Sequence, residues 1–246
     1  MVYSIEPIAI VRSCFKEKFG VPRQAGLAPS VPAELVILPP YNDPAAFSEL
    51  ENCSHIWVQF IFHRNRAYKW TPRIRPPRLG GNRTLGVFAS RSPYRPNGIG
   101  LSAVRLVGIT KRAGELILNI VGADLVDGTP VVDIKPYVPY ADKIDATNTN
   151  AAEAPAICPV RLSPSIMAIC KDYQSRWHRD LAQVLVEVLQ QNPSPAYHGR
   201  DTKRVYGFLI WDLNVTWAWV EDPAGQREGS FAIEVLTVTS ATVPKP

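Results

Sequence analysis

Short apolar runs broken by glycine and proline dominate the first 140 residues. Residues 4–12 alternate weakly and are rich in β-branched side chains, and HIWVQFIFH at 55–63 is a dense apolar and aromatic run. Residues 83–90, 101–110, 115–121 and 131–135 have the same texture, with Gly and Pro punctuation between them. Each reads as a short strand. Helical signal in this half is confined to residues 44–50, where Asp43 offers an N-cap ahead of Pro44. Many short strands without intervening amphipathic helices predict a barrel or sandwich, not a βαβ sheet.

The pattern then changes. Residues 141–158, rich in Ala, Asn, Thr and Pro, read as a linker between a first unit at 1–140 and a second at 159–246. In the second unit, 163–177 is predicted helical, with Ser163 as cap and Pro164 in the first turn. Residues 179–191 give the clearest helix. Leu181, Val184, Leu185, Val188 and Leu189 make one apolar face, and Asn192-Pro193 stops it. Strands at 204–213, 214–220 and 230–239 follow, and the last residues, TVPKP, are expected to fray. The fold class is therefore mainly β with a smaller carboxy-terminal α+β unit.

Composition adds limits. An apolar fraction of 46% permits a real core, and no run approaches the length of a membrane-spanning helix. MVYSIEPIAIVRS lacks the layout of a signal peptide. Cys14, Cys53, Cys158 and Cys170 lie far apart without metal-ligand spacing, so reduced thiols in a cytoplasmic protein without a metal are expected. Charge changes the picture more. The net charge is +5, yet no acid occurs between Glu51 and Glu115, while twelve Lys and Arg do. The rest of the chain is net acidic. A basic block this long without a compensating acid points to a polyanionic ligand, with nucleic acid ahead of solvated surface.

Three segments carry more Gly, Pro and polar residues than a β core needs. They are 21–27 (VPRQAGL), the pair 75–81 and 90–100 (RPPRLGG and SRSPYRPNGIG), and 124–130 (DLVDGTP). Gly and Pro shape turns that let a ligand approach the backbone, and Arg offers a planar fork to anions. Asp124 and Asp127 suit paired carboxylates receiving ribose hydroxyls or an amine. Asp127-Gly128 reads equally well as an ordinary β-turn. GxGxxG after a strand, GxxxxGK[ST], HExxH and GxSxG are all absent, so a Rossmann dinucleotide site, a P-loop and a zincin are not indicated. LPPY at 38–41 lacks a polar leading residue and reads as a proline-stiffened turn. His55 and His63 share one strand face. His55 reads as structural, whereas His63 opens onto the basic block and stands near any site there. Trp211, Trp217 and Trp219 read as core or as RNA-stacking surface, with core favoured.

At these motifs the chain resembles the TrmO, or TsaA-like, tRNA methyltransferase family. The matching segments run in order: RSCFKEKFGVPRQAGL, SHIWVQFIFH, RPPRLGG, GVFASRSPYRPNGIGLS, DLVDGTPVVDIKPY, then NPSPAY and WDLNV. The resemblance implies a small β-barrel that binds S-adenosyl-L-methionine without a Rossmann fingerprint and completes the cofactor site in a homodimer. It implies methylation of the exocyclic nitrogen of a threonylcarbamoyl-modified adenosine next to the anticodon, usually in threonine tRNA, with the carboxy-terminal domain helping to hold the tRNA. Carried over by residue, the cofactor contacts are Pro22, Arg23, Gln24, His63, Arg64, Arg91, Leu101, Asp124, Leu125, Val126 and Asp127. Arg64 stands where the family commonly has Gln, and Gly98 where it commonly has Pro.

Methyl transfer from a sulfonium is an in-line displacement, so positioning carries most of the rate. Within that chemistry Asp124 or Asp127 is expected to anchor the cofactor, and Arg91 and Arg95 to hold RNA phosphate or the threonyl carboxylate. Tyr94 is a candidate for stacking on a base, and Arg78 for a substrate contact. No residue identifies itself as the catalytic base. The rival readings are a non-catalytic RNA-binding barrel and a methyltransferase with another acceptor.

Overall fold

The computed structural model describes residues 3–65, 70–76, 83–147, 156–223, 225 and 229–241. Its first unit holds eight strands: β1 (Ala9–Ser13), β2 (Pro32–Ile37), β3 (His55–Ile61), β4 (Arg73–Ile74), β5 (Leu85–Gly86), β6 (Ile99–Arg112), β7 (Glu115–Val121) and β8 (Pro130–Pro136). Six of them close on themselves in the order β1-β2-β7-β6-β3-β8, while β4 and β5 form a separate two-stranded ribbon. The last seam is short, with Ala9 opposite Val131 and Ile10 opposite Pro130.

Period-2 alternation fills the interior. Ile56, Val58 and Phe60 of β3 point inward, as do Val104 and Leu106 of β6 and Leu116, Leu118 and Ile120 of β7. β6 and β7 are joined through Ala113 and Gly114, both at positive φ (49° and 84°). That is the two-residue turn whose twist suits a hairpin.

The second unit holds β9 (Val160–Arg161), α2 (Pro164–Trp177), α3 (Leu181–Leu189), β10 (Val205–Ile210), β11 (Leu213–Glu221) and β12 (Phe231–Ser240), with a short α1 (Pro139–Asp142) preceding it. Its sheet runs β10-β11-β12-β9, and β9 lies parallel to β12. Ser163 Oγ accepts from Ile166 N–H at the start of α2, and Asp180 caps α3 through Gln183 N–H. The apolar face predicted for α3 is buried, and Trp217 and Trp219 lie at the centre of this core.

Several elements differ from expectation. The strand at 83–90 shrinks to Leu85–Gly86 followed by a 3₁₀ turn at Val87–Ala89, so this stretch serves as a loop. The helix at 44–50 is two short 3₁₀ turns, Pro44–Phe47 and Leu50–Asn52, with Asp43 Oδ1 accepting from Ala45 N–H at 2.9 Å. The strand at 204–213 stops at Ile210 because Trp211 turns the chain at φ 50°. β2, β4 and β9 lie outside the predicted strands. Of the linker, residues 148–155 lie outside the described residues, as do the final TVPKP and Gly80-Gly81.

The division at residue 140 also needs refinement. Cys14, Phe15, Ala28 and Val31, all early in the chain, are buried in the core of the second unit. Residues 14–31 therefore leave the barrel after β1, pack on the second unit and return as β2. Among the described residues no helix is long and apolar enough to cross a membrane, and no group of three or more His, Cys, Asp or Glu is arranged to hold a metal ion. The thiols of Cys14, Cys158 and Cys170 are buried and that of Cys53 is half-buried.

Candidate functional site

One end of the closed sheet opens into a cavity of about 530 Å³. Its walls come from the end of β3, the start of β6, the loop at 90–95, the loop at 124–129 and the segment at 18–24. A cavity of this size suits a small organic ligand.

One wall is apolar. Phe60 lies across Gly100, where an added Cβ would fall 2.3 Å from the ring. Phe60 also packs edge-on against Phe62 at 5.1 Å. Ile61, Ile99 and Leu101 also line the cavity, from the other face of these strands, and Leu101 remains about half exposed at the mouth. Aromatic edges beside a glycine floor suit a flat heterocycle.

A polar part of the lining is built around Asp124, beside Ser102 of β6. Ser102 Oγ donates to Asp124 Oδ1 at 2.6 Å. Burial pushes the Asp124 carboxyl above the ordinary aspartate range. The Ser102 hydroxyl, backbone N–H groups including that of Ala25, and the Arg91 charge pull the other way without cancelling that effect. Arg91 donates through Nη1 to Gln24 Oε1, which ties the loop at 90–95 to the segment at 18–24. Lys18 Nζ donates to Asn65 Oδ1 at 2.5 Å, and Arg64 Nε lies 3.4 Å from His63 Nε2.

Pro22, Arg23, Gln24, His63, Arg64, Arg91, Leu101, Asp124, Leu125 and Val126 all line this one cavity. Asp127 does not. Its Oδ1 accepts from Ser13 N–H at 2.9 Å, its Oδ2 pairs with Lys16 at 2.8 Å, and its own N–H donates to Phe15 O. The two carboxylates three residues apart thus divide their work: Asp124 faces the cavity and Asp127 pins the loop to β1. Arg95 lines the cavity, but its Nη1 donates to Ser90 O at 2.7 Å and Val87 O at 3.3 Å while its guanidinium sits over Phe88. It shapes the loop as well as facing the site. Tyr94 stands outside the lining, half exposed on that loop, and Arg78 lies outside the described residues.

Sequence reasoning missed Lys18, Trp57, Phe60, Asn65 and Ser102 as wall residues. A signal existed for Ser102. It is the hydroxyl among the inward-facing Gly100, Ser102, Val104 and Leu106 of β6, and a polar group at a core position asks for a partner. Trp57 is held from outside, its Nε1 donating to Asp142 Oδ2 at 2.9 Å.

Comparison with known proteins places this geometry. The family description "tRNA-methyltransferase O N-terminal domain" matches residues 10–143, and "TrmO C-terminal domain" matches residues 155–225. The chain is 44% identical over 218 residues to an Escherichia coli protein named tRNA (adenine(37)-N6)-methyltransferase, covering 87% of this chain and 92% of that one. It is 47% identical over 218 residues to a Pseudomonas aeruginosa protein provisionally named an S-adenosylmethionine-dependent methyltransferase, covering 88% and 93%. A crystal structure of TrmO superposes with a TM-score of 0.77 at 40% identity, over 98% of this chain and 99% of the other.

Proposed function

The chain belongs to the tRNA-methyltransferase O family, and from that premise we propose that it is an S-adenosyl-L-methionine-dependent enzyme that methylates the exocyclic amino nitrogen of adenosine 37 in tRNA, as the name of its Escherichia coli relative describes. The observation that carries the reading is the cavity itself. It brings together a half-buried carboxylate, Asp124, and an aromatic surface, Phe60 over Gly100. That pairing fits a ligand with a flat base at one end and hydroxyl or ammonium donors at the other.

When bound, the cofactor supplies an electrophilic methyl group on sulfur. The residues of this chain position and desolvate. Asp124, held by Ser102, is the acceptor for ribose hydroxyls or the amine. Of the two aspartates, Asp124 takes this role because Asp127 is already engaged by Ser13 and Lys16. Phe60, buried against Gly100, excludes water from the space beside it, which strengthens the charges there. Arg91 faces the same space with one N–H committed to Gln24, leaving further guanidinium donors for an anionic group of the substrate. A threonylcarbamoyl carboxylate on the adenosine is the anion that fits a planar fork, so the substrate we favour is threonylcarbamoyl-modified tRNA, that for threonine foremost.

Leu101 is exposed at the mouth, and Phe88 and Tyr94 are exposed between β5 and β6. In this reading a second copy of the chain covers these exposed apolar side chains, making the enzyme a homodimer that works on cytoplasmic tRNA. The experiment is transfer of labelled methyl from S-adenosyl-L-methionine to tRNA with and without the threonylcarbamoyl group. Label in the modified tRNA alone supports the full reading. Cofactor binding without label in either tRNA leaves a methyltransferase with another acceptor, and no cofactor binding returns the protein to an RNA-binding barrel.

A further inference from the structure

Residues 14–31 form a strap with both ends fastened to the second unit and its middle lying on the cavity. At the first end, Trp211 N–H donates to Cys14 O at 2.7 Å, Leu209 N–H donates to Glu17 Oε1 at 2.9 Å, and Phe15 bridges Ile210. Gly20 then presses on Phe208. An added Cβ there would sit 3.0 Å from the ring, on a backbone at φ 87°, so glycine is what lets the strap come this close. At the second end, Gln191 Nε2 donates to Leu27 O at 2.6 Å and Ser30 N–H donates to Glu187 Oε2 at 2.8 Å.

Between these fastenings, Val21, Pro22, Arg23 and Gln24 form the cavity wall, and the Ala25 N–H is directed at Asp124. The strap bonds to the barrel at this level too, through Gly26 N–H to Gly122 O. Its burial, however, is in the other core, among α3, β10 and β11. Glu187 is the informative residue. It is a carboxylate only 4% exposed on α3, and one oxygen takes Gln183 Nε2 while the other takes the strap's backbone. A buried charge is tolerated only where it is hydrogen-bonded, and a bond to a charged acceptor is worth more than a neutral one.

We infer that the second unit is the foundation of the cofactor-facing wall, and that Glu187 and Gln191 are positioning residues for cofactor binding although neither lines the cavity. The inference rests on the reading that this cavity takes S-adenosyl-L-methionine. It assigns the second unit a role in cofactor affinity, separate from any contact with tRNA.

The test is titration of S-adenosyl-L-methionine into the full chain by calorimetry, for wild type, Glu187→Ala, Gln191→Ala and Glu187→Gln. One charge-assisted hydrogen bond to the strap corresponds to a cofactor affinity about tenfold weaker in Glu187→Ala. Gln191→Ala, which loses a neutral bond, should weaken it about threefold to tenfold. Glu187→Gln keeps one oxygen for Ser30 N–H, but as a neutral acceptor, and should fall between wild type and Glu187→Ala. KM for tRNA and kcat at saturating cofactor should not move. Should Glu187→Ala fail to fold, Gln191→Ala carries the same test. Unchanged affinity in the folded variants, even with a lowered melting temperature, would overturn the inference by making the strap a stability element alone. Wild-type protein that bound no cofactor would overturn the functional reading, and this inference with it.

Discussion

Gly100→Ala isolates the aromatic floor of the cavity. The new methyl carbon would lie 2.3 Å from Phe60 Cζ, 2.5 Å from Cε2 and 2.8 Å from Cε1. Carbon atoms rest at about 3.5–4.0 Å, so the ring must retreat by more than about 1 Å. It has little room to do so. Phe60 is 5% exposed, packs on Phe62 and belongs to the barrel core, and a ring has no flexible end to swing aside. Overpacking of this kind costs about 1–3 kcal/mol. For a chain of this size, that corresponds to a fall in melting temperature of about 2–12 °C. Because Phe60 and Gly100 both line the cavity, cofactor affinity should fall with it. Thermal unfolding by circular dichroism and calorimetric titration of S-adenosyl-L-methionine measure the two effects. Phe60→Leu placed on Gly100→Ala should recover part of both, since the smaller side chain vacates the collision. A Gly100→Ala protein with wild-type melting temperature and wild-type affinity would refute the packing argument outright.

Other outcomes follow from the same geometry. Asp124→Asn should weaken cofactor binding about tenfold to a hundredfold, the span of a hydrogen bond to a charged group, as read by the same titration. The free protein should not lose stability at neutral pH, because burial raises the Asp124 pKa above its unfolded value of 3.8. A group with a raised folded pKa favours folding fully below its unfolded value and loses that contribution as pH rises through the folded one. Comparing urea midpoints of wild type and variant from pH 3.8 upward shows whether the variant gains relative to wild type across that window. Cofactor affinity of wild type should in turn decline on acidification before an ordinary aspartate would protonate.

Thiol titration of the native protein should label Cys53 first. Cys14 and Cys170 are buried, with thiols pushed up to about 12 and about 11 by desolvation, and Cys158 is buried as well. Rapid modification of Cys14 without unfolding would contradict the packing of the strap. Finally, tRNA affinity should fall steeply with salt, the logarithm of the binding constant declining linearly with that of the salt concentration. A flat dependence would remove the basic block from the interface.

The sequence was most legible where one local rule decided the outcome. Alternating runs with turn punctuation gave β3, β6, β7 and β8, and Ser163-Pro164 and the apolar stripe of α3 gave the two main helices. It was least legible where a distant partner decided. β2, with proline at its start and Pro39-Pro40 soon after it, shows no clear alternation, yet it pairs with β1 and β7 along its length. Residues 83–90 look like a strand by composition, but they find only the two residues of β4 as partner. β9 is two residues long and exists only because β12 lies beside it. The site shows the same division. Asp124 and Asp127 are alike in sequence, and only the neighbours Ser102, Ser13 and Lys16 separate an inward carboxylate from a fastening one. The anchoring of the strap could not be read, since nothing in residues 14–31 announces that they pack into a core contributed by residues 158–238.

The central claim is that this cavity delivers a methyl group to one nitrogen of one nucleoside. The most direct measurement is mass spectrometry of the nucleosides from tRNA incubated with the protein and S-adenosyl-L-methionine, run beside the Asp124→Asn variant. The account predicts one added methyl on the modified adenosine at position 37, the site named for its Escherichia coli relative, strongly reduced with the variant at limiting cofactor. A methyl group on another nucleoside, or undiminished product from the variant under those conditions, would contradict it.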